Sequence, residues 1–323
     1  MEPVLVGLPF ENGIRMMQRF GRGVTGAIDG PKAIFSRLRN LRGVDRIMLD
    51  LSAYAFRVGL SDRNQEKAIE RHNRQTLRAH DYIANFSRSL CEKNYVPVFI
   101  GGDHSLTYPL FTGCCQAHKN RRFGLIVIDA HFDMREPETL AGISGLISSG
   151  NSFRHIVEDA KLGIHPHNMA TIGIYDTGSE AFRTQQSFAN EYGIHVVYDR
   201  ECQQGNLEQI IQNALEVATR GTDGFYLSLD IDAVEVAHAP GVSAPAAQGL
   251  SRETWLKLSK EFGRHPNLVA ADLVETSSRK KGWQYLHGLP QEPALFDGDV
   301  LGKTADLASE TIRNMLAGHQ KKR

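Results

Sequence analysis

The chain has 323 residues, 41% apolar and 23% charged, with 37 Lys+Arg against 37 Asp+Glu. That balance leaves no basic stripe for nucleic acid and no acidic arm for a disordered partner, while the apolar share suits a soluble enzyme with a full core. Cys91, Cys114, Cys115 and Cys202 form neither a CxxC pair nor a disulfide framework. Reduced thiols in a cytoplasmic protein are expected, since residues 1–30 lack a signal-peptide pattern and no apolar run approaches a membrane span.

Apolar runs rich in β-formers occur at 3–10, 95–102, 123–131, 169–176, 194–199, 224–232 and 267–275. Several lack strict alternation, as strands covered on both faces do. Amphipathic helices are predicted over 66–92, 105–117, 205–219, 251–262 and 304–316. Strand and helix alternate throughout, which predicts a doubly wound α/β sheet in one domain spanning 1–323. The Pro-, Gly- and Ser-rich stretches 137–152 and 239–249 are loops in that scheme, not linkers.

Ligands of such sheets bind beyond the carboxyl ends of the strands. The unusual polar residues gather there: "FIGGDHS" ends one predicted strand, "DAHFD" a second, "DIDAVEVAHAPG" a third and "DLVETSS" a fourth. Alternate side chains of an extended chain point the same way, so Asp129, His131 and Asp133 can share one side, as can Asp230 and Asp232. His104 joins them from the Gly101–Gly102 turn, where glycine permits close backbone approach. Four Asp and two His exceed what one structural zinc takes, and the set suits two divalent ions sharing a water. Hard oxygen donors mixed with imidazole, without sulfur, lean toward manganese. A metal pair about 3.5–4 Å apart lowers the pKa of its shared water and directs hydrolytic attack on an electrophilic carbon.

"GGDHS", "DAHFD" and "SLDIDAVEVAHAPGVSAPAAQGLS" resemble the three signatures of the ureohydrolase superfamily, which includes arginases, agmatinases and formimidoylglutamases. The resemblance runs from about residue 4 to residue 316. It implies a three-layer αβα sandwich around a mostly parallel sheet of about eight strands, two Mn2+ per chain and a homo-oligomer. It carries ligand roles onto His104, Asp129, His131, Asp133, Asp230 and Asp232, with Asp129 and Asp230 as bridges. Glu275, in "DLVE", would lie near the leaving end of the substrate, and Glu275 and Asp133 are the expected proton carriers.

Within the superfamily, "LISSGNSFRHI" is similar to the "SSGTPFRQI" loop of formimidoylglutamases, with Asn151-Ser152 in place of Thr-Pro. Ser149 then stands where arginases and agmatinases carry a histidine. "ENGIRMMQRFGRGVTGAIDGPKAI" resembles the amino-terminal segment of the same branch. The implied reaction is hydrolysis of N-formimidoyl-L-glutamate to glutamate and formamide, a step of histidine breakdown. Its two carboxylates would call on Arg15, Arg22 and Arg154, with Ser149 and Asn151 as further contacts. Arg135 is expected only to balance carboxylates, and Asp103 to orient His104 rather than bind metal. The rival reading is a guanidino hydrolase (agmatinase, arginase or an enzyme for another guanidino acid) that releases urea, and a second rival is a catalytically silent metal-binding homologue.

Overall fold

The computed structural model describes residues 2–23, 25–55, 64–246, 248–277 and 300–317. Among them eight strands form one sheet: β1 (Glu2–Gly7), β2 (Asp45–Met48), β3 (Tyr95–Ile100), β4 (Gly124–Ile128), β5 (Met169–Ile174), β6 (His195–Tyr198), β7 (Phe225–Asp230) and β8 (Leu268–Val274). Their order is β2-β1-β3-β8-β7-β4-β5-β6, and every pairing is parallel. Parallel neighbours cannot be joined by a tight hairpin, so the chain returns through crossovers that cover both faces.

The helices are α1 (Asn12–Arg19), α2 (Gly30–Arg37), α3 (Gln65–Glu92), α4 (Thr107–Ala117), α5 (Ser152–Glu158), α6 (Glu180–Glu191), α7 (Asp199–Gln204), α8 (Leu207–Thr219), α9 (Arg252–Gly263) and α10 (Val300–Leu316). In β4 the alternation splits the burial: Leu125 and Val127 pack with Ile83, Phe111 and Phe153 from α3, α4 and α5 on one face. Ile126 and Ile128 pack with Ala214, Trp255 and Ile312 from α8, α9 and α10 on the other. Both faces of the strand are therefore dry, which explains its unbroken apolar run. No helix among the described residues is long and apolar enough to cross a membrane.

The seven strands expected from sequence are all present, and each ends one to three residues before the expected run does; β4, for example, ends at Ile128 and not at His131. β2 escapes sequence reading because it is a four-residue edge strand, "DRIM", with no fully buried side chain. α1, α2, α5, α6 and α7 also lie outside the expected helices. They are short, between 6 and 12 residues, and take much of their stability from packing rather than from pattern. Lys280, Lys281, Trp283 and Tyr285 lie outside the described residues.

One buried group on α3 makes the fold sensitive to acid. His80 sits between the rings of Phe10 and Tyr108, 6.1 and 6.4 Å away, and neither of its ring nitrogens has a hydrogen-bond partner among the described residues. Burial, aided by the nearby His155, lowers its pKa to about 3 from 6.5. The unfolded chain therefore binds a proton below about pH 6.5 that the fold refuses, and stability falls from there down toward pH 3. At 1.4 kcal/mol per unit this amounts to about 2 kcal/mol at pH 5. His80→Leu is expected to remove that loss, so its urea midpoint relative to the parent chain should rise between pH 7.5 and pH 5. An unchanged difference would refute the assignment.

Candidate metal centre

Four strands that are scattered in sequence lie side by side at the middle of the sheet, in the order β3-β8-β7-β4. Their carboxyl ends carry the turn of His104, then Glu275, then Asp230 and Asp232, then Asp129 to Asp133. After β3 the chain must pass under the β1–α1 connection: a Cβ on Gly102 would lie 1.7 Å from the Phe10 carbonyl oxygen, so only glycine fits. The Asp103 amide donates to that same carbonyl at 3.0 Å. The Asp103 carboxylate accepts from the Ser105 and Ile14 amides, which fixes the short 3-10 turn that presents His104. Asp103 thus supports the turn and stays out of the ligand cluster, as expected.

The expected ligands converge, though not by strand alternation. Asp129 follows the end of β4 and accepts the His131 amide on Oδ1 at 2.6 Å, while Asp230 accepts the Asp232 amide on Oδ1 at 2.8 Å. Each pair is therefore a tight Asx-type turn in which the first carboxylate fixes the second ligand. Asp133 has φ +47° and Glu275 φ +66°, left-handed conformations that non-glycine residues seldom take and that recur where function demands a fixed geometry. The strained Asp133 turn is pinned by Phe153 N–H donating to its carbonyl and by Met134 N–H donating to Gln185 Oε1.

The side chains form two groups whose ligand atoms all lie within 4.8 Å of one another: His104, Asp129, Asp133 and Asp230, and then Asp129, His131 and Asp232. Asp129 belongs to both. Asp230 belongs to the first, and its other oxygen accepts the amide of Asp232 in the second. His104 Nδ1 faces Asp129, Asp133 and Asp230 at 3.2, 3.1 and 2.9 Å. A single nitrogen holds one proton, which cannot satisfy three carboxylates. His104 Nδ1, Asp129 Oδ2 and Asp232 Oδ1 are indeed buried without a hydrogen-bond partner among the described residues. Oxygen and imidazole donors so arranged, with no sulfur, fit divalent cations.

A supporting layer absent from the sequence reading holds His104. Its Nε2–H donates to Ser228 Oγ at 3.0 Å, and Ser228 donates to Asp272 Oδ1 at 2.7 Å. Tyr226 and Thr107 hydroxyls donate to Asp272 Oδ2, both at 2.8 Å. The chain of bonds places the ring proton on Nε2 and leaves the Nδ1 lone pair aimed at the cluster. The Phe153 ring packs edge-on against the imidazole at 4.9 Å. Sequence did offer a signal for this layer: Ser228 and Asp272 are polar residues inside the mostly apolar strands β7 and β8.

The cavity over the cluster is lined by His131, Asp133, Asp230, Asp232 and Glu275, together with Arg22, Arg135 and Ser149. Glu275 Oε1 accepts the His104 amide at 2.9 Å, and Oε2 meets Ser243 Oγ at 2.7 Å. Burial, then the Asp103 and Asp232 charges, push its pKa well above the usual carboxylate range. Three of the expected substrate contacts sit elsewhere. Arg15 pairs with Glu11 and lines a different cavity. Asn151 spends its side chain inside its own loop, accepting from Ser148 N–H and donating to the Leu146 carbonyl. Arg154 pairs with Glu158, lies 3.8 Å from Glu136 and covers the Phe188 ring. Arg22 reaches the cavity paired with Glu138.

Arg135, expected only to balance carboxylates, also lines the cavity. It is half-buried there, and no ion pair within 4 Å engages it among the described residues. Gly150 makes room for it, because a Cβ there would stand 3.0 Å from Arg135 Cδ and 3.1 Å from Met17 Cε.

Removing the Asp272 charge should loosen His104 without touching a ligand. Asp272→Asn and Ser228→Ala are each expected to weaken Mn2+ binding by about 10–100-fold, the usual cost of losing a supporting partner. Calorimetric titration checks this, and an affinity equal to that of the parent chain would show that the layer is only core.

Comparison with known proteins agrees with this architecture. Residues 2–316 match the arginase family. A formimidoylglutamase of Geobacillus thermodenitrificans is 32% identical over 190 residues, covering 58% of this chain and 55% of that protein. One of Staphylococcus carnosus is 25% identical over 273 residues, covering 84% of this chain and 78% of the relative. The chain thus spans little more than half of the first relative's length. Among solved structures, a formimidoylglutamase of Bacillus subtilis superposes with a TM-score of 0.73 at 20% identity, covering 99% of this chain and 88% of that one. A Trypanosoma cruzi formiminoglutamase with Mn2+2 gives 0.72 at 19% identity, covering 100% of this chain and 94% of that one. These structures share the eight-stranded parallel sheet flanked by helices, and with residues 2–316 matching the family throughout, the chain belongs to the arginase family.

Proposed function

We propose that the chain is a manganese-dependent hydrolase of N-formimidoyl-L-glutamate, yielding glutamate and formamide. The observation that carries this reading is the charge of the cavity wall. Beside the anionic cluster stand Arg22, paired with Glu138, and Arg135, which lies in no such pair among the described residues. A dicarboxylate substrate gives that guanidinium a planar, two-oxygen partner. A guanidinium substrate such as arginine or agmatine would bring a further positive charge to the same wall. The formimidoylglutamases among the relatives, and Ser149 in the cavity, support the same reading.

Two divalent ions held by His104, Asp129, His131, Asp133, Asp230 and Asp232 would activate water for attack on the formimidoyl carbon. The chain's own residues supply the rest. Arg135 and Arg22 hold the carboxylate end, and Ser149 positions the substrate by a hydrogen bond. As the bond from carbon to the glutamate nitrogen breaks, that nitrogen must gain a proton. Glu275 is suited to give it, because burial favours its protonated form and its contact with Ser243 serves the proton on either partner. Asp133, at the border of cavity and cluster, is a second proton carrier within reach.

With manganese supplied, formamide and glutamate are the expected products. Urea released from arginine or agmatine at a comparable rate would overturn the substrate assignment. Arg135→Gln should raise KM at least tenfold with a smaller change in kcat; a fall in kcat alone would remove Arg135 from substrate binding.

The proton path separates two further variants. Glu275→Gln should lower kcat by roughly 10²–10⁴-fold with metal content unchanged. Ser149→Ala should cost only about 0.5–1.5 kcal/mol, the net value of one hydrogen bond. The opposite ranking would place the proton donor on the 148–152 loop.

A further inference from the structure

The four cysteines are free thiols, and the fold brings two of them together. Cys91 lies in the last turn of α3 and Cys114 on α4, and their Sγ atoms stand 3.1 Å apart. Both are buried, at 3% and 0% exposure. A disulfide joins the same two atoms at about 2.05 Å, so an approach of about 1 Å separates contact from bond.

The contact is built by the helix packing. A Cβ on Gly113 would lie 2.3 Å from the Ala84 carbonyl oxygen and 2.7 Å from Ser87 Cβ, so glycine is what lets α4 lie this close on α3. Ser87 Oγ donates to the Leu110 carbonyl at 2.8 Å, which fixes how far one helix slides along the other. Ala84, Ser87 and Cys91 share one face of α3 by their spacing, as Leu110, Gly113 and Cys114 do on α4. With both helices fixed, Cys114 Sγ has Cys91 Sγ and, at 3.5 Å, Ser87 Oγ beside it.

The chain between the two thiols belongs to the centre of the molecule. Cys91 and Cys114 are 23 positions apart, and the segment between them holds β3, the Gly101–Gly102 turn and His104. A bond between the sulfurs would close that segment into a covalent loop. Neither thiol lines the cavity over the metal centre.

We propose that Cys91 and Cys114 are an oxidation site, forming a disulfide that staples α3 to α4 around the segment presenting His104. The oxidant is a small disulfide, and the exchange balances without another reactant. The Cys91 thiolate attacks one sulfur of the oxidant and releases the other as a thiolate. Cys114 then gives its proton to solvent, attacks Cys91 Sγ and expels the second half of the oxidant. Two protein thiols and one small disulfide become one protein disulfide and two small thiols. Cys91 is the entry point, because Glu92, Lys93 and Asn94 beyond it are exposed and a helix end opens more readily than its middle. The neighbouring Cys91 thiol, and then burial, hold the Cys114 pKa well above its ordinary value, which makes Cys114 the second thiol to react and the exchange slow. The site rests on neither the metal centre nor the formimidoylglutamate reading.

Oxidised glutathione is the probe, incubated with the manganese-loaded chain before free thiols are trapped with N-ethylmaleimide in denaturant and the peptides are read by mass spectrometry. The expected product is one pair of peptides linked through Cys91 and Cys114, with Cys115 and Cys202 trapped as thiols and the link undone by dithiothreitol. Because Cys115 adjoins Cys114, Cys115→Ser fixes the assignment and should still form the link. The oxidised parent chain should melt roughly 5 °C above the reduced one, the scale for a loop of this length in a protein of this size. Cys91→Ser and Cys114→Ala should each lose both the link and the shift; the first lies at a helix end, so it reads the site even if the second unfolds. All four cysteines trapped as thiols after prolonged exposure would overturn the proposal. So would a link through Cys115 or Cys202, or glutathione left on Cys91 without closure. A Cys91–Cys114 link with no rise in Tm would overturn the staple.

Discussion

Repulsion among buried carboxylates is the constraint on which the rest of the molecule depends. Asp129, Asp133 and Asp230 present ligand atoms within 4.8 Å of one another in a site that is almost wholly buried. Two like charges about 4 Å apart repel by roughly 4 kcal/mol at an effective dielectric of 20. Three such pairs approach the entire net stability of a folded domain, about 5–15 kcal/mol. The cluster persists because the surrounding structure over-determines it. The Asx turns at Asp129 and Asp230, the pinned left-handed turn at Asp133 and the Asp272–Ser228–His104 chain each fix one donor from a rigid strand end. A divalent cation would offset the repulsion where a proton on His104 cannot reach three partners at once.

The charge of the site is zoned around that cluster. Acidic donors lie on the strand ends, and the cations lie on loops facing them. Arg135 follows Asp133 by two residues, yet the turn sends its side chain along Gly150 and Met17 toward the cavity. Glu275 stands between these zones, held by the His104 amide and Ser243, with burial raising its pKa. A substrate with carboxylates at one end and an electrophilic carbon at the other meets this zoning in one orientation.

α1 ties the periphery to the centre. The Ile14 amide at its start bonds Asp103 beside His104, Met17 lines the metal-site cavity, and Arg15, Gln18 and Arg19 line a second cavity. A short helix with so few residues in the main core is held by these contacts rather than by its own propensity.

The residues that make the centre were legible in the chain itself. Three polar motifs ending apolar runs, and the alternation of strand and helix, already indicated a parallel sheet with a two-metal site, because burying four carboxylates and two imidazoles has few other physical solutions. The alternation argument named residues that the fold does gather, but by another route: they converge through tight turns beyond the strands, which local pattern does not encode. Tertiary structure alone decided which strand ends are neighbours, since β3, β8, β7 and β4 are adjacent in the sheet but separated by up to about 170 residues of chain. It also decided the fate of the arginines. Arg15, Arg22, Arg135 and Arg154 are chemically equal in sequence, and a long flexible side chain takes its role from whichever carboxylate, ring or cavity the fold brings within reach. Glu11 and the second cavity took Arg15, Glu158 and Phe188 took Arg154, and Arg22 and Arg135 were left facing the metal centre.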